Sequence, residues 1–109
     1  MYVIDSMKFL DGATSPQESE VLINTRSSQL ILDVSGTATT FALKVLGTAS
    51  LEPSDSWTTL AAISLSDYTT ANTIASKGIY AVPIDGVGNV KISLTETNGA
   101  ISVTGKAGE

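Results

Sequence analysis

Cysteine and histidine are both absent from this chain of 109 residues. Without cysteine there can be no disulfide, thiolate metal site or cysteine nucleophile. Without histidine, the most common general base and the usual zinc ligand are missing. Two catalytic signatures are also lacking, the G-x-S-x-G nucleophile elbow and the G-x-x-x-x-G-K-S/T phosphate loop. These absences predict a protein that is not an enzyme.

Basic residues are scarce, since 6 Lys and Arg stand against 11 Asp and Glu and give a formal net charge of −5. An acidic surface repels phosphate, so we expect no binding to nucleic acid, and direct binding to anionic membranes is disfavoured. No stretch approaches the ~18 apolar residues of a membrane span. Met1–Gly12 has no basic segment ahead of an apolar run, so it does not have the form of a signal peptide.

The acidic side chains are scattered along the sequence, and no spacing assigns two of them to one cleft. The best pair of oxygen ligands is Asp85 with Asn89, across a glycine-containing turn, and it falls short of an Asp-rich calcium loop. Asp and Asn are favoured in turns in any case, because their side chains bond nearby backbone amides. We therefore expect no glycosidase-type carboxylate pair, no metal site and no cofactor.

Serine and threonine are abundant, with 14 residues each, whereas the Glu, Lys and Arg typical of long amphipathic helices are few. Four segments alternate between apolar and polar residues with a period of two. This alternation is typical of strands that bury one face and expose the other. The segments are Ser28–Ser35, Thr40–Gly47, Val90–Thr95 and Ala100–Thr104.

Turn-forming residues separate the alternating segments. Asn98-Gly99 lies between the last two, and this pair favours the positive φ angles of a type I′ hairpin turn. Short strands at such intervals predict an all-β fold, namely an antiparallel two-sheet β-sandwich of the jelly-roll or C2-like type. We predict one domain over residues 1–109 with about eight strands. These are Met7–Leu10, Glu20–Ile23, Gln29–Val34, Thr40–Leu46, Thr58–Ser64, Ile79–Ile84, Val90–Glu96 and Ala100–Thr104.

The inward faces of these strands predict a single core. Less regular stretches lie between them: Gly12–Ser19 is predicted to be a polar loop, and Asp67–Lys77 a long loop or one helical turn. Gly105–Glu109 is predicted to be a frayed tail. The predicted core residues are Leu30, Leu32, Val34, Phe41, Leu43, Val45, Leu60, Ile63, Tyr80, Val82, Ile92, Leu94, Ile101 and Val103.

Aromatic residues supply the candidate binding positions, which are Tyr2, Trp57 and Tyr68. Trp57 is the only tryptophan, and it is either a core anchor at the start of a strand or an exposed platform for sugars. Tyr68 has the same two interpretations. Tyr2 precedes the first predicted strand, where an exposed aromatic residue would suit contact with another subunit.

Low charge on two predicted strands favours assembly. Sheet edges with unpaired backbone groups are usually protected by charge, proline or bulges. Gln29–Val34 carries only Asp33, and Thr58–Ser66 carries no charge. Either these strands are central in their sheets, or a second chain covers them. We expect the second arrangement, a homo-oligomer.

The stretch from Phe41 to Gly105, 65 of the 109 residues, resembles a known group of proteins. It contains S-W-T-T-L-A-A-I-S-L, I-A-S-K-G-I-Y-A-V-P-I-D-G and G-A-I-S-V-T-G-K in that order. A Trp-initiated strand, a Gly-x-Tyr strand and a terminal pair around a glycine resemble small β-sandwich proteins of tailed phages and prophages, of the virion accessory or lytic-cassette type. The matching positions are Trp57, Gly78, Tyr80, Lys91 and Gly99.

The resemblance implies a non-catalytic role and carries no functional residues with it. The expected function is that of a phage structural protein, a head–tail, tail, baseplate or capsid-surface component that acts through oligomeric packing. Its expected partners are further copies and other virion proteins, in the virion or in the host cytoplasm before assembly. Two alternatives stay open, a prophage lysis accessory protein and a small carbohydrate-binding module.

Overall fold

A computed structural model of the chain describes residues 6–24, 27–49 and 56–108. The described residues form antiparallel strands in two sheets and contain no helix, which confirms the predicted all-β sandwich. The strands are β1 (Ser6–Ala13), β2 (Gln17–Glu18), β3 (Leu22–Ile23), β4 (Gln29–Gly36), β5 (Phe41–Thr48), β6 (Thr58–Leu60), β7 (Ala62–Ser64), β8 (Thr70–Ala71), β9 (Gly78–Pro83), β10 (Asn89–Thr97) and β11 (Ile101–Gly108).

The two sheets divide the strands unequally. The six-stranded sheet has the order β1-β11-β4-β9-β7-β8, and the five-stranded sheet has the order β2-β10-β5-β6 with β3 also paired to β10. Along β5, inward residues are buried and alternate with half-buried outward residues over all eight positions. This is the period of two that the sequence shows, so the pattern correctly assigns the face of each residue.

The predicted strand Thr58–Ser64 is two strands in different sheets. Thr58–Leu60 pairs with β5, whereas Ala62–Ser64 pairs with β9 and β8, and the chain passes between the sheets at Ala61. Strands that cross at a corner in this way close one side of a sandwich. The crossing also resets the alternation, which places Ile63 on the outward face.

The predicted core is confirmed for all but two of its residues. Leu60 is half-buried against the core, and Ile63 is half-buried opposite Ala81, outside it. Both lie beside the crossing at Ala61, where a single alternating strand was the wrong assumption. The core also contains residues that the strand pattern did not assign to it, namely Phe9, Leu10, Ala13, Ala38, Ala62, Ile74, Ile84 and Val90.

The predicted hairpin at Asn98-Gly99 is wrong. β10 and β11 belong to different sheets, and neither residue has a positive φ angle. The Asn98 side-chain oxygen instead accepts the amides of Thr39 and Thr40 at 2.9 and 3.1 Å. A Cβ on Gly99 would lie 2.9 Å from the Cα of Ala38. The loop between β4 and β5 therefore packs closely against the loop between β10 and β11. This packing explains why asparagine and glycine occupy positions 98 and 99.

Three boundary predictions also need correction. β1 extends to Ala13 and β2 lies within the predicted polar loop Gly12–Ser19, because β10 offers a free edge to Gln17–Glu18. Gly105–Gly108, predicted as part of a frayed tail, instead pairs with β4. Asp67–Lys77 holds β8 and the isolated bridge of Ile74 to Leu43, and it holds no helical turn.

Candidate interaction surfaces

Among the described residues, no three acidic side chains lie close enough together to hold a metal ion. Every buried side-chain nitrogen or oxygen in the same part of the chain has a hydrogen-bond partner. No helix in those ranges has the length and apolarity of a membrane crossing. Trp57 and Tyr68 occupy separate sites on the surface. Tyr2 lies outside the described residues.

Trp57 lies at the surface of the five-stranded sheet. It immediately precedes β6 and is half-buried, and it is not part of the core. The ammonium of Lys91, on β10, lies 4.3 Å from the centre of its ring. The same ammonium lies 2.9 Å from a carboxylate oxygen of Glu18, on β2. We call these three residues the Trp57 cluster, and it links three parts of the sheet.

The geometry of the Trp57 cluster suits a structural contact. The Lys91 side chain is only 15% exposed, so its charge is partly desolvated, which strengthens both of its contacts. One face of the indole already carries this cation, so a sugar would have to stack on the opposite face. The glycan-platform interpretation of Trp57 stays a prediction.

Replacing Lys91 by alanine is expected to lower the free energy of unfolding by about 1–2 kcal/mol, since it removes a cation–π contact and a partly exposed ion pair. The fluorescence of Trp57 should change at the same time, because water replaces the lysine above the ring. Both quantities are measurable in one urea titration. Lys44→Ala is the matched control, since Lys44 also points outward on this sheet. Identical spectra for Lys91→Ala and the unmodified chain would contradict the contact.

Tyr68 occupies the turn between β7 and β8, and its side chain is 77% exposed. Its backbone has a φ of 61°, the left-handed conformation that bulky residues rarely adopt. Two backbone bonds hold the turn: the Tyr68 amide donates to the Ser64 carbonyl at 2.7 Å, and the Ser64 amide to the Thr69 carbonyl at 2.8 Å. We call residues 65–69 the Tyr68 turn.

Asp67 fixes the Tyr68 turn from the other side. Its carboxylate accepts the Thr69 hydroxyl at 2.8 Å and the Thr69 amide at 3.1 Å. The hydroxyl bond, and then the amide bond, hold the pKa of Asp67 below its usual value. A left-handed conformation costs about 1–2 kcal/mol for a residue with a side chain. Outliers of this kind concentrate at functional sites, so the exposed Tyr68 is a candidate interface residue.

Two exposed apolar residues lie beside Tyr68 on the outer face of the six-stranded sheet, one within the Tyr68 turn and one on β9. Leu65 is 39% and Ile79 is 49% exposed, and the Leu65 amide donates to the Ile79 carbonyl at 3.0 Å. Ile79, on β9, pairs with Asp33 on the neighbouring strand β4. Neither Leu65 nor Ile79 is among the binding candidates that the sequence predicts. The run Ile79-Tyr80-Ala81-Val82 was the available signal, because it is apolar on both faces of one strand.

The model of the XepA family matches residues 4–107 of the chain. The chain belongs to the XepA family. A search of curated proteins gives no match. Among solved structures, the XepA-family fold recurs in the SPBc2 prophage-derived protein YomS, with 21% sequence identity, a TM-score of 0.86, and coverage of 98% of this chain and 96% of that one.

A second solved structure, the PBSX exported protein XepA, is 24% identical to the chain, with a TM-score of 0.86. The match covers 96% of this chain but only 37% of that protein, so the chain corresponds to about a third of its length. The predicted resemblance to small β-sandwich proteins of phages and prophages is thereby confirmed. At these identities the two structures establish the shared fold and assign no residue a role.

Proposed function

We propose that this XepA-family domain is a non-enzymatic structural protein of a phage or prophage particle, which acts by packing against further copies of itself and other virion proteins. The single observation that carries the proposal is the Tyr68 turn. It presents an aromatic residue, 77% exposed, beside Leu65 and Ile79, on a backbone that hydrogen bonds hold in place. Interfaces are enriched in such aromatic residues, and a tyrosine loses little side-chain entropy on docking because it has few rotatable bonds.

The sheet edges also support packing between chains. β1 is protected as an edge, because two irregularities interrupt its pairing with β11 and Lys8 and Asp11 form an ion pair at 3.5 Å. Of the two strands with little charge, β4 lies in the middle of its sheet, so it needs no cover. Among the described residues, β6 lies at the edge of the five-stranded sheet, and it carries no charge, as expected of a strand that another chain covers.

The proposed site of action is the virion, or the host cytoplasm before assembly. A lysis accessory role is the second candidate, because the description of XepA as an exported protein suits release from the host as well as assembly. The chain has no histidine or cysteine in either case, and the proposal assigns it no catalytic step.

The proposal predicts a discrete oligomer in solution. Light scattering after size exclusion, over a hundredfold range of protein concentration, should give a native mass that is a whole multiple of the 11.3 kDa chain mass. A mass of one chain at every concentration would contradict self-packing.

A further inference from the structure

The pair Asn98-Gly99 has a chemical reactivity as well as a structural role. The backbone nitrogen of the residue after an asparagine can attack the side-chain carboxamide, and glycine hinders this attack least because it has no Cβ. The other three asparagines are each followed by a β-branched residue, whose branched Cβ crowds the attacking nitrogen. These pairs are Asn24-Thr25, Asn72-Thr73 and Asn89-Val90. In the unfolded chain, Asn98 is therefore the asparagine expected to react first.

The reaction consumes water and releases ammonia. The Gly99 nitrogen gives up its proton and bonds to Cγ of Asn98, while the Cγ–Nδ2 bond breaks and Nδ2 leaves as ammonia with that proton. Water then opens the cyclic imide. Attack of water at Cγ gives aspartate, and attack at the backbone carbonyl carbon of residue 98 gives isoaspartate, in which the main chain runs through the former side chain.

The fold fixes the carboxamide of Asn98 by three hydrogen bonds. Its oxygen accepts the amides of Thr39 and Thr40 at 2.9 and 3.1 Å, and its nitrogen donates to the Thr39 hydroxyl at 2.9 Å. Ring closure needs the reacting atoms in contact and correctly aligned. Attack also makes the planar Cγ tetrahedral and turns its oxygen and nitrogen away from their partners, so these bonds have to break.

The attacking nitrogen is restrained as well. The Gly99 amide donates to the Thr97 hydroxyl at 3.3 Å, and the same hydroxyl donates to the Gly99 carbonyl at 2.8 Å. A Cβ on Gly99 would lie 2.9 Å from the Cα of Ala38, so the backbone there has little room to rotate while the two loops stay together. We call the bonds of Asn98 and Gly99 to Thr39, Thr40 and Thr97 the Asn98 contact.

We propose that Asn98 is a modification site that the fold keeps closed. Its conversion to aspartate and isoaspartate proceeds when the Asn98 contact opens and is suppressed while the contact is intact. Local opening of a loop contact requires less free energy than global unfolding, so the site responds to the state of this end of the sandwich. The inference goes beyond the proposed function and does not depend on how copies of the chain pack.

The two products differ in whether the Asn98 contact can form again. Aspartate keeps the oxygen that accepts the amides of Thr39 and Thr40. Isoaspartate adds a carbon atom to the main chain between residues 98 and 99, where the close approach of Gly99 to Ala38 leaves no space for it. A transient opening of the contact therefore becomes a permanent change in the chains that form isoaspartate.

The test follows the full chain in mildly alkaline buffer, once folded and once in guanidinium chloride. Mass spectrometry of tryptic peptides gives the rate at each asparagine, since the peptide from Ile92 to Lys106 contains Asn98 and no other asparagine. In guanidinium chloride, Asn98 should react faster than the other three. In the folded chain its rate should be at least about tenfold lower, because three hydrogen bonds hold the carboxamide.

Variants of Thr39 test the carboxamide side of the Asn98 contact. Thr39→Val removes the acceptor of the Asn98 nitrogen and should raise the rate in the folded chain about three- to tenfold. Thr39→Ser keeps the hydroxyl and should leave the rate unchanged. Thr95→Val is the matched control, because the Thr95 hydroxyl donates to the Ala42 carbonyl at 3.2 Å, outside the Asn98 contact.

Thr97→Val tests the nitrogen side of the contact. It frees the Gly99 amide, so it should also raise the rate in the folded chain, and it replaces Thr39→Val if that variant does not fold. Each rate is divided by the rate of the same variant in guanidinium chloride, which removes any effect of the substitution on the intrinsic reactivity. Circular dichroism shows whether each variant is folded.

Asn24→Ala separates local opening from global unfolding. The Asn24 side chain donates to the Val87 carbonyl, in the loop before β10, whereas Asn98 follows β10. Asn24→Ala therefore weakens the fold at the opposite end of this strand, and it should raise the Asn98 rate less than Thr39→Val does.

Three results would overturn the inference. Equal Asn98 rates in the folded and the unfolded chain would show that the contact gives no protection. Equal rates for folded Thr39→Val, Thr97→Val and Thr95→Val would show that the named bonds are not what restrains the reaction. A larger increase for Asn24→Ala than for Thr39→Val would show that the reaction requires global unfolding.

Discussion

Replacing Gly36 by alanine is expected to lower the free energy of unfolding by about 3 kcal/mol or more, through strained backbone and the displacement of hydrogen bonds. Gly36 is the last residue of β4, and its φ of 132° is one that a residue with a side chain rarely adopts. A Cβ there would also overlap the carbonyl oxygen of Ala100 and lie 3.0 Å from the Cα of Ile101. Both obstacles are backbone atoms, which cannot rotate away.

The Ala100 carbonyl has a structural role that makes the overlap costly. It accepts the amides of Thr37 and Ala38 at 2.9 and 3.1 Å, and these bonds join the two loops at one end of the sandwich. A shift large enough to admit a methyl group weakens both bonds. A domain of this size has a stability of roughly 5–15 kcal/mol, so the substitution removes a large part of it.

A matched substitution isolates the overlap from the backbone strain. Gly78 has a φ of 146°, and a Cβ on it would meet nothing within 4 Å. Gly78→Ala should therefore carry only the conformational cost, about 1–3 kcal/mol, and lose less stability than Gly36→Ala. Urea unfolding with a common m-value gives both figures. Equal losses for the two variants would contradict the account of Gly36.

Most of the strands could be predicted from the sequence because alternation with a period of two is a local property. β4, β5 and β10 each have one apolar face, and burial of that face explains their correct assignment. The pairing of strands is not local. The chain crosses between the sheets at Ala61, but the residue types before and after Ala61 are similar. The residues from Thr58 to Ser64 alone therefore predict one continuous strand. The same limitation explains the false hairpin at Asn98-Gly99.

The candidate surfaces were less predictable than the fold. Tyr68 was singled out because it is aromatic, but its left-handed backbone is a conformation that a tyrosine does not predict. Trp57 was assigned either to the core or to a ligand platform, and the contact with Lys91 and Glu18 was not foreseen. Lys91 and Glu18 are separated by 73 positions in the chain. Such a separation leaves no pattern in the sequence.

The strands of the sandwich position the outward residues of both sheets. β9 carries Ile79 at the outer face while it buries Tyr80 in the core, where the Tyr80 hydroxyl donates to the Ser76 carbonyl at 2.7 Å. β5 carries Lys44 in the same way, between the buried residues Leu43 and Val45. Alternation therefore couples each surface residue to a core neighbour, so a core substitution that moves β5 or β9 also alters the corresponding surface.

The second large effect is expected at Asn24, whose side chain is a buried junction between two loops. Its amide nitrogen lies 3.0 Å from the Ser27 carbonyl, 3.0 Å from the Ile84 carbonyl and 2.9 Å from the Val87 carbonyl. Its oxygen accepts the Ser27 amide at 2.8 Å. Asn24→Ala removes all four of these bonds. The Ile84 carbonyl still accepts the Val87 amide at 3.0 Å, but each buried polar group left unsatisfied costs about 1–3 kcal/mol. We expect a loss of about 3 kcal/mol.

Asn98→Ala is the control for Asn24→Ala. Asn98 makes the same kind of loop contact through its side chain, but it is exposed, so water can replace its bonds. Its loss should stay near 1 kcal/mol, the net value of a typical hydrogen bond. Urea titrations of the two variants measure the difference, and equal losses would show that burial of Asn24 is not what makes its bonds costly to remove.

Asn24→Asp tests the direction of the hydrogen bonds at this junction. The new carboxylate would keep the shape and the acceptor but face three carbonyl oxygens with a negative charge. Burial and those oxygens should raise the pKa of the new group above its value in the unfolded chain, about 3.9. A raised pKa means that stability is retained below that value and lost as the pH rises, so the deficit should be smallest below pH ~4 and grow towards neutrality. A deficit independent of pH would show that the side chain does not donate to these carbonyls.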